Sequence, residues 1–366
     1  MAQIERITLR RLNLPLFRPY RLSYRTFETF EPFLVEVEDD TGRRGFADAH
    51  VSPGSSAETR EGGWDFLTRW CARLPGLDPE AARQAVLAQF EDSKVACTAL
   101  VSAIEVLEGN ALLACPAPAR LPLLAPVNAT EPEAIAAEIE AGIAAGLRTF
   151  KVKVGKDVAA DLARVATIQA AAAGRATLRL DANRAFSRDD AIAFARGLSP
   201  EGIELFEQPC HADDWEANAA VAAAAPVPLM LDEPICTLAD IARAAEIPNV
   251  GFCKLKLKRF GGLDRLAEGL AAVRAHGMEW VLGDGLGSDI HAWLEACVAR
   301  ETLRNAGEFN GFLKTRDRLL APALPFAQGA IEMPQGYAPT LDAAAVAAHT
   351  TESLTFTKTR SPIHAA

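Results

Sequence analysis

The chain has 366 residues, 49% of them hydrophobic and 23% charged, with a formal net charge of −10 at pH 7. This is the profile of a soluble globular protein long enough for one large barrel and a smaller domain, and its acidic balance excludes nucleic acid or an anionic membrane as a bulk partner. Seven cysteines without a CxxC spacing fit free thiols better than disulfides or a zinc site, and a charged N-terminus with no long apolar run predicts a cytoplasmic protein without signal peptide or membrane span.

The first elements are strands. "ERITLRRLNLPL" and "FLVEVEDDTGRRGFADAH" read as antiparallel strands, the second containing the Asp40–Gly42 turn signal. From Glu80 to Leu113 apolar residues recur at helical spacing, ending in the Pro-rich linker "ACPAPARLP". Beyond the linker, short strand-like runs recur at 121–128, 149–155, 176–183, 203–209, 228–234, 251–257, 279–285 and 305–311. Ala-rich amphipathic segments such as "EAIAAEIEAGIAAG" and "DRLAEGLAAVRAHG" lie between them, several followed by a stop glycine. Eight strands alternating with helices predict a closed parallel (β/α) barrel. A doubly wound open sheet lacks its G-x-G-x-x-G signature here.

The run "TFKVKVG" carries Lys151 and Lys153 two apart, hence on one face of the strand. A same-face lysine pair in a core demands an anionic partner. Lys153, Asp181, Glu207, Asp232 and Lys256 fall at steps of 28, 26, 25 and 24 residues, one βα unit each. All five stand at or near the C-terminal ends of their strands, where barrel sites form. A lone strand-end Asp is commonly a helix cap, but five charges in consecutive register exceed what capping explains. Three carboxylates meeting at one mouth repel unless a cation holds them, and hard oxygens suit Mg²⁺. Lys153 and Lys256 would straddle a carboxylate substrate, their pKa values depressed by the metal and by neighbouring ammoniums, so that one takes the α-proton. The metal would stabilise the resulting enediolate. Lys151 would keep Lys153 neutral or touch the substrate carboxylate.

The set "KVKVG", "LRLDAN", "LFEQP", "LMLDEP" and "CKLKLKRFGG" resembles the enolase superfamily, in particular its muconate lactonizing enzyme subgroup within the mandelate racemase/muconate lactonizing enzyme family. The resemblance covers nearly the whole chain. It implies an α/β fold, a modified TIM barrel at 119–325 with an α+β capping domain built from residues 1–118 and a C-terminal segment, 326–366. Matched residue by residue, it makes Asp181, Glu207 and Asp232 the ligands of Mg²⁺ (or Mn²⁺ as substitute) and Lys153 and Lys256 the acid/base pair. Glu233 should point away from the ligand face and brace Lys256, while Asn183 is either a helper of the site or a helix cap. Lys254 and Lys258 share a face with Lys256 at different heights, and "RFGG" reads as loop. Many relatives form dimers or octamers, so a homo-oligomer is expected.

The subgroup performs racemisation of N-acylamino acids, epimerisation of dipeptides, proline-betaine chemistry, muconate cycloisomerisation and elimination to o-succinylbenzoate. Two substrate-facing positions depart from its pattern. The usual strand-seven Glu falls on Gly287, with Asp284 and Asp289 nearby as substitutes, and the strand-eight D-x-D pair of dipeptide epimerases becomes Glu308 and Asn310. Glu308 fits either a cationic or amino-bearing substrate or a structural ion pair at the strand end; the first reading leads to a racemase or epimerase of an N-acylamino acid, dipeptide or proline-type acid. Cycloisomerase and dehydratase chemistry are the alternatives, since "LRLDANRAF" and "PVNAT" look most like o-succinylbenzoate synthases. A non-catalytic carboxylate-binding barrel is the rival of another class. Specificity loops are expected at about 18–27 and 50–58, with Tyr20, Tyr24, Arg25 and His50 facing the small-molecule substrate.

Overall fold

The computed structural model describes residues 2–21, 25–53, 58–283 and 285–358. In β1 (Ile4–Leu12), Ile4, Ile7, Leu9 and Leu12 are buried. A register shift between Ile4 and Arg6 lets both isoleucines face inward despite their odd spacing. β2 (Leu14–Arg21) and β3 (Thr26–Phe30) form a separate hairpin, while β4 (Phe33–Asp39) and β5 (Arg44–Ala49) pair antiparallel. Asp39 organises the turn between β4 and β5, accepting the backbone N–H groups of Thr41 and Arg43.

Helices α1 (Arg60–Cys71), α2 (Pro79–Leu87) and α3 (Lys94–Glu108) follow. α3 lies so close to β5 that a Cβ on Gly45 would stand 2.1 Å from the Ala103 carbonyl oxygen; only glycine permits that approach.

Next come β6 (Ala119–Pro122), β7 (Ala125–Val127), α4 (Pro132–Ala144), β8 (Thr149–Lys153), α5 (Val158–Ala172), β9 (Thr177–Asp181) and α6 (Arg188–Gly197). The alternation continues through β10 (Ile203–Glu207), α7 (Trp215–Ala224), β11 (Leu229–Leu231), α8 (Leu238–Ala245) and β12 (Val250–Leu255). It ends with α9 (Leu257–Phe260), α10 (Leu263–Ala275), β13 (Glu279–Leu282) and α11 (Asp289–Ala299). The tail adds β14 (Leu320–Ala321), β15 (Phe326–Ala327), β16 (Ala330–Met333), β17 (Thr340–Leu341), α12 (Ala343–His349) and β18 (Thr350–Thr357). β18 pairs with β1, completing the sheet β18-β1-β4-β5, so the tail returns to the N-terminal layer.

Seven strands form one parallel sheet in the order β13-β12-β11-β10-β9-β8-β7. The eighth expected strand, 305–311, is irregular. Its backbone nevertheless spans the gap: Leu124 N donates to Gly307 O, Gly307 N to Pro122 O, and Glu308 N to Leu282 O. The segment thus bonds to both edges of the sheet and closes the barrel without a regular ladder. Among the described residues, no helix is long and apolar enough to cross a membrane.

Candidate active site

Register decides which side chains meet. Lys153 pairs with Asp181, and Asp181 with Glu207, so these three strand-end residues stand level on adjacent strands. Glu207 pairs with Met230, which lifts Asp232 two residues above that level. Lys256 follows directly after β12. The sequence order Lys, Asp, Glu, Asp, Lys is therefore also the order around the barrel mouth.

The turns beyond these residues are held by their own side chains. Asn183 (φ 43°) and Arg184 (φ 66°) turn left-handed just past Asp181, and Asn183 N donates to Asp181 Oδ1 at 2.8 Å. Asn tolerates this region better than most residues. Gln208, at φ 38°, accepts from Asp232 N at 2.9 Å and donates to Cys210 O, tying the end of β10 to β11.

Lys151 is the centre of the charge cluster. Its Nζ lies 2.9 Å from Asp181, 2.8 Å from Glu207 and 2.9 Å from Glu308. Burial alone would depress its pKa, but these carboxylates outweigh burial and hold it well above the ordinary lysine value. Glu308 also receives a short hydrogen bond from the buried Lys254 Nζ. Burial pushes the Glu308 carboxyl up, and Lys151 and Lys254 more than reverse this, bringing it to about 2. Lys153 Nζ reaches Asp181 Oδ2 and Asn183 Oδ1, each at 2.5 Å.

Across the mouth, Asp232 accepts from Lys256 Nζ at 3.0 Å and from Arg259 Nη1 at 2.8 Å. Burial opposes ionisation of Asp232, but these two cations keep its carboxyl well below the usual range. Glu233 ion-pairs with Arg184 at 3.1 Å, and burial raises its carboxyl to about 7.

Several expected substrate contacts are placed elsewhere. Glu308 is engaged by two interior lysines, which removes the argument that it awaits a substrate ammonium. Asn310 is a strut: its Nδ2 donates to Leu124 O and its Oδ1 accepts from Lys314. His50 is buried, edge-on to Phe27 and Phe30 at 5.6 and 5.4 Å, because the hairpin wraps its aromatic side chains around it. Asp289 accepts the backbone N–H groups of Leu319 and Leu320, so it anchors the tail and does not replace a strand-seven Glu. Tyr24 and Asp284 lie outside the described residues.

Lys254, Arg259 and Arg184 were not picked out as part of the site from sequence. The signal for Lys254 was its alternation with Lys256. Arg259 was hidden in "RFGG", read as loop, where the chain instead forms the helical turn α9; the strand has ended, so Lys258 does not share the strand face.

Among the described residues, no three His, Cys, Asp or Glu side chains are gathered as a ready metal cage. Asp181 and Glu207 instead converge on the Lys151 ammonium. The donor chemistry nevertheless fits a hard divalent cation. Glu207 is 0% exposed, and among the described residues the Lys151 ammonium at 2.8 Å is the one group placed against its carboxylate oxygens, with no well-aligned hydrogen bond to either. Burial and the Asp181 charge both push its carboxyl upward, the strain that a metal would relieve.

Fold and site define a parallel-barrel enzyme with three strand-end carboxylates flanked by lysines at its C-terminal mouth. The Enolase C-terminal domain-like family matches residues 134–342, more than half of the chain, and the protein belongs to that family and to the enolase superfamily of enzymes. It is 28% identical over 298 residues to the L-Ala-D/L-Glu epimerase of Bacillus subtilis, covering 77% of this chain and 80% of that one. Its fold matches N-succinyl Arg/Lys racemase from Bacillus cereus at TM-score 0.88 and 21% identity, over 96% of this chain and 99% of the other. It also matches muconate lactonizing enzyme from Pseudomonas fluorescens at TM-score 0.86 and 24% identity, over 95% and 99%.

Proposed function

We propose that the protein is a Mg²⁺-dependent racemase or epimerase of N-acylated amino acids, working by proton transfer between two lysines. The carrying observation is the engagement of Glu308 by Lys151 and Lys254. Among the described residues, each strand-end carboxylate of the mouth faces an interior cation: Asp181 and Glu207 face Lys151, Asp232 faces Lys256 and Arg259, and Glu233 faces Arg184. Nearby, Arg18, Arg21 and Lys314 line a cavity of about 820 Å³. Among the described residues its one lining acid, Glu138, is occupied by the N–H groups of Asn128 and Ala129. A substrate ammonium would meet a cationic surround, whereas an acyl-blocked nitrogen carries no charge to oppose it. The name of one relative, the N-succinyl-L-Arg/Lys racemase of Bacillus cereus, supports the blocked nitrogen, whereas the L-Ala-D/L-Glu epimerase of Bacillus subtilis supports inversion at the α-carbon and is the reason free-amine dipeptides are the comparison set.

Asp181, Glu207 and Asp232 would hold a divalent cation, which supplies polarisation of the substrate carboxylate and compensation for the charge that develops on it. Lys153 Nζ removes the α-proton from one face, and the Lys256 ammonium delivers one to the opposite face, inverting the centre. The reverse reaction exchanges their roles. Lys153, with 41% of its side chain exposed, returns its proton to solvent more readily than Lys256, with 11%. Lys151 remains charged and offers its ammonium to the substrate carboxylate.

The test compares matched substrates that differ only at nitrogen, N-acetyl and N-succinyl amino acids against dipeptides with a free amine, with Mg²⁺ present and racemisation followed by polarimetry. The expected kcat/KM favours the blocked compounds by about 100-fold or more. Equal or better turnover of the free-amine dipeptides would overturn the assignment.

A further inference from the structure

The Lys151 ammonium and a divalent cation need the same two carboxylates. Lys151 Nζ contacts Asp181 and Glu207 at 2.9 and 2.8 Å, and it is only 5% exposed. Once Asp181 and Glu207 turn to a doubly charged ion, that ion repels the adjacent ammonium. What remains to hold Lys151 is its third carboxylate, Glu308, whose two oxygens accept from Lys151 Nζ at 2.9 and 3.0 Å. Glu308 is itself gripped by Lys254, which is 1% exposed and shares Oε2 with Lys151. Two further bonds fix its backbone: Glu308 N donates to Leu282 O, and Glu308 O accepts from Gly285 N.

We propose that Glu308, pinned by Lys254, is a positioning residue that retains the Lys151 ammonium when Asp181 and Glu207 take up a divalent cation. Lys254 keeps Glu308 from turning toward the metal as a further ligand, and Glu308 keeps Lys151 from competing with the metal for Glu207. Lys151 thereby stays charged and stationary beside the reacting carboxylate. The inference rests on the divalent-cation reading above and adds a role for Glu308 that differs from holding a substrate ammonium.

Binding of Mn²⁺ alone, by calorimetry and by electron paramagnetic resonance, tests it without turnover, with circular dichroism reporting the fold of each variant. Glu308→Gln should weaken Mn²⁺ affinity by about tenfold or more, because Lys151 then competes for Asp181 and Glu207. Lys151→Met should tighten it by about threefold or more, since the resident cation is gone. The double variant should return to the wild-type affinity or better, a rescue that a purely structural role of Glu308 does not predict. Unchanged affinity in Glu308→Gln, or no rescue in the double variant, overturns the proposal. If Glu308→Gln does not fold, Lys151→Met decides alone, and equal or weaker Mn²⁺ binding there counts against it. A wild-type protein that binds neither Mn²⁺ nor Mg²⁺ removes the metal reading and this proposal together; a wild-type protein that binds while the variants behave alike removes only this one.

Discussion

The buried charges Lys151, Lys254, Asp181, Glu207, Asp232 and Glu308 are tolerable because each faces an opposite charge at hydrogen-bond distance, and the cost of removing one partner falls on those left behind. Glu308 shows this most directly, held at about 2 against an ordinary glutamate value of 4.5. A carboxyl depressed on folding contributes stability that is fully present above its unfolded pKa and is lost as pH falls through the folded one. The Glu308 share should therefore disappear between about pH 4.5 and pH 2. Glu308→Gln leaves Lys254 without its carboxylate and should cost about 3–5 kcal/mol at pH 7. It should also flatten that acid limb, as read from urea unfolding across the pH range. A variant as stable as wild type at pH 7, with the same acid limb, would show that the ion pairs contribute nothing net.

Among the elements, the eighth barrel position is the least regular and the most constrained. Gly283 sits at φ 97° just past β13, and a Cβ there would stand 2.3 Å from Phe309 N and 2.7 Å from the Glu308 carbonyl carbon. Gly283→Ala should destabilise the protein by about 3 kcal/mol or more, lowering the thermal midpoint; an unchanged midpoint would mean the closure is looser than its hydrogen bonds indicate. This region also marks where sequence reasoning stopped. The positions of Lys153, Asp181, Glu207, Asp232 and Lys256 were legible because a βα unit has a nearly constant length and its strand end a fixed chemical role. The role of Glu308 was not, because its partners Lys151 and Lys254 lie 157 and 54 residues away and meet it only when the barrel closes. The segment around Glu308 resembled a strand in composition, yet its hydrogen bonds go to two different edges. The burial of His50 was not legible for a related reason: it depends on the hairpin folding Phe27 and Phe30 over it.

At the scale of the molecule, the N-terminal layer and the barrel are fastened together beside the catalytic turn. Glu105, buried on α3, accepts from Leu263 N at 2.7 Å and caps α10, whose preceding Gly262 packs against that carboxylate. Glu295 of α11 accepts from Leu257 N, the residue after Lys256, at 3.0 Å. The hairpin β2–β3 is bound to the far side of the mouth through Phe17 N to Lys314 O and Arg316 N to Pro15 O. Lys256 thus projects from a turn braced by the barrel's own helices, while Lys153 stands four strands away with the three carboxylates between them. That placement is what two-sided proton transfer requires. The most direct measurement is α-proton wash-out in D₂O from each enantiomer of a turned-over N-acylamino acid, followed by NMR for Lys153→Ala and Lys256→Ala. The account predicts that each variant loses racemisation by about 10³-fold or more yet keeps exchange from one enantiomer, the two variants keeping opposite ones. Retained racemisation in either variant, or exchange preserved from the same enantiomer in both, would contradict it.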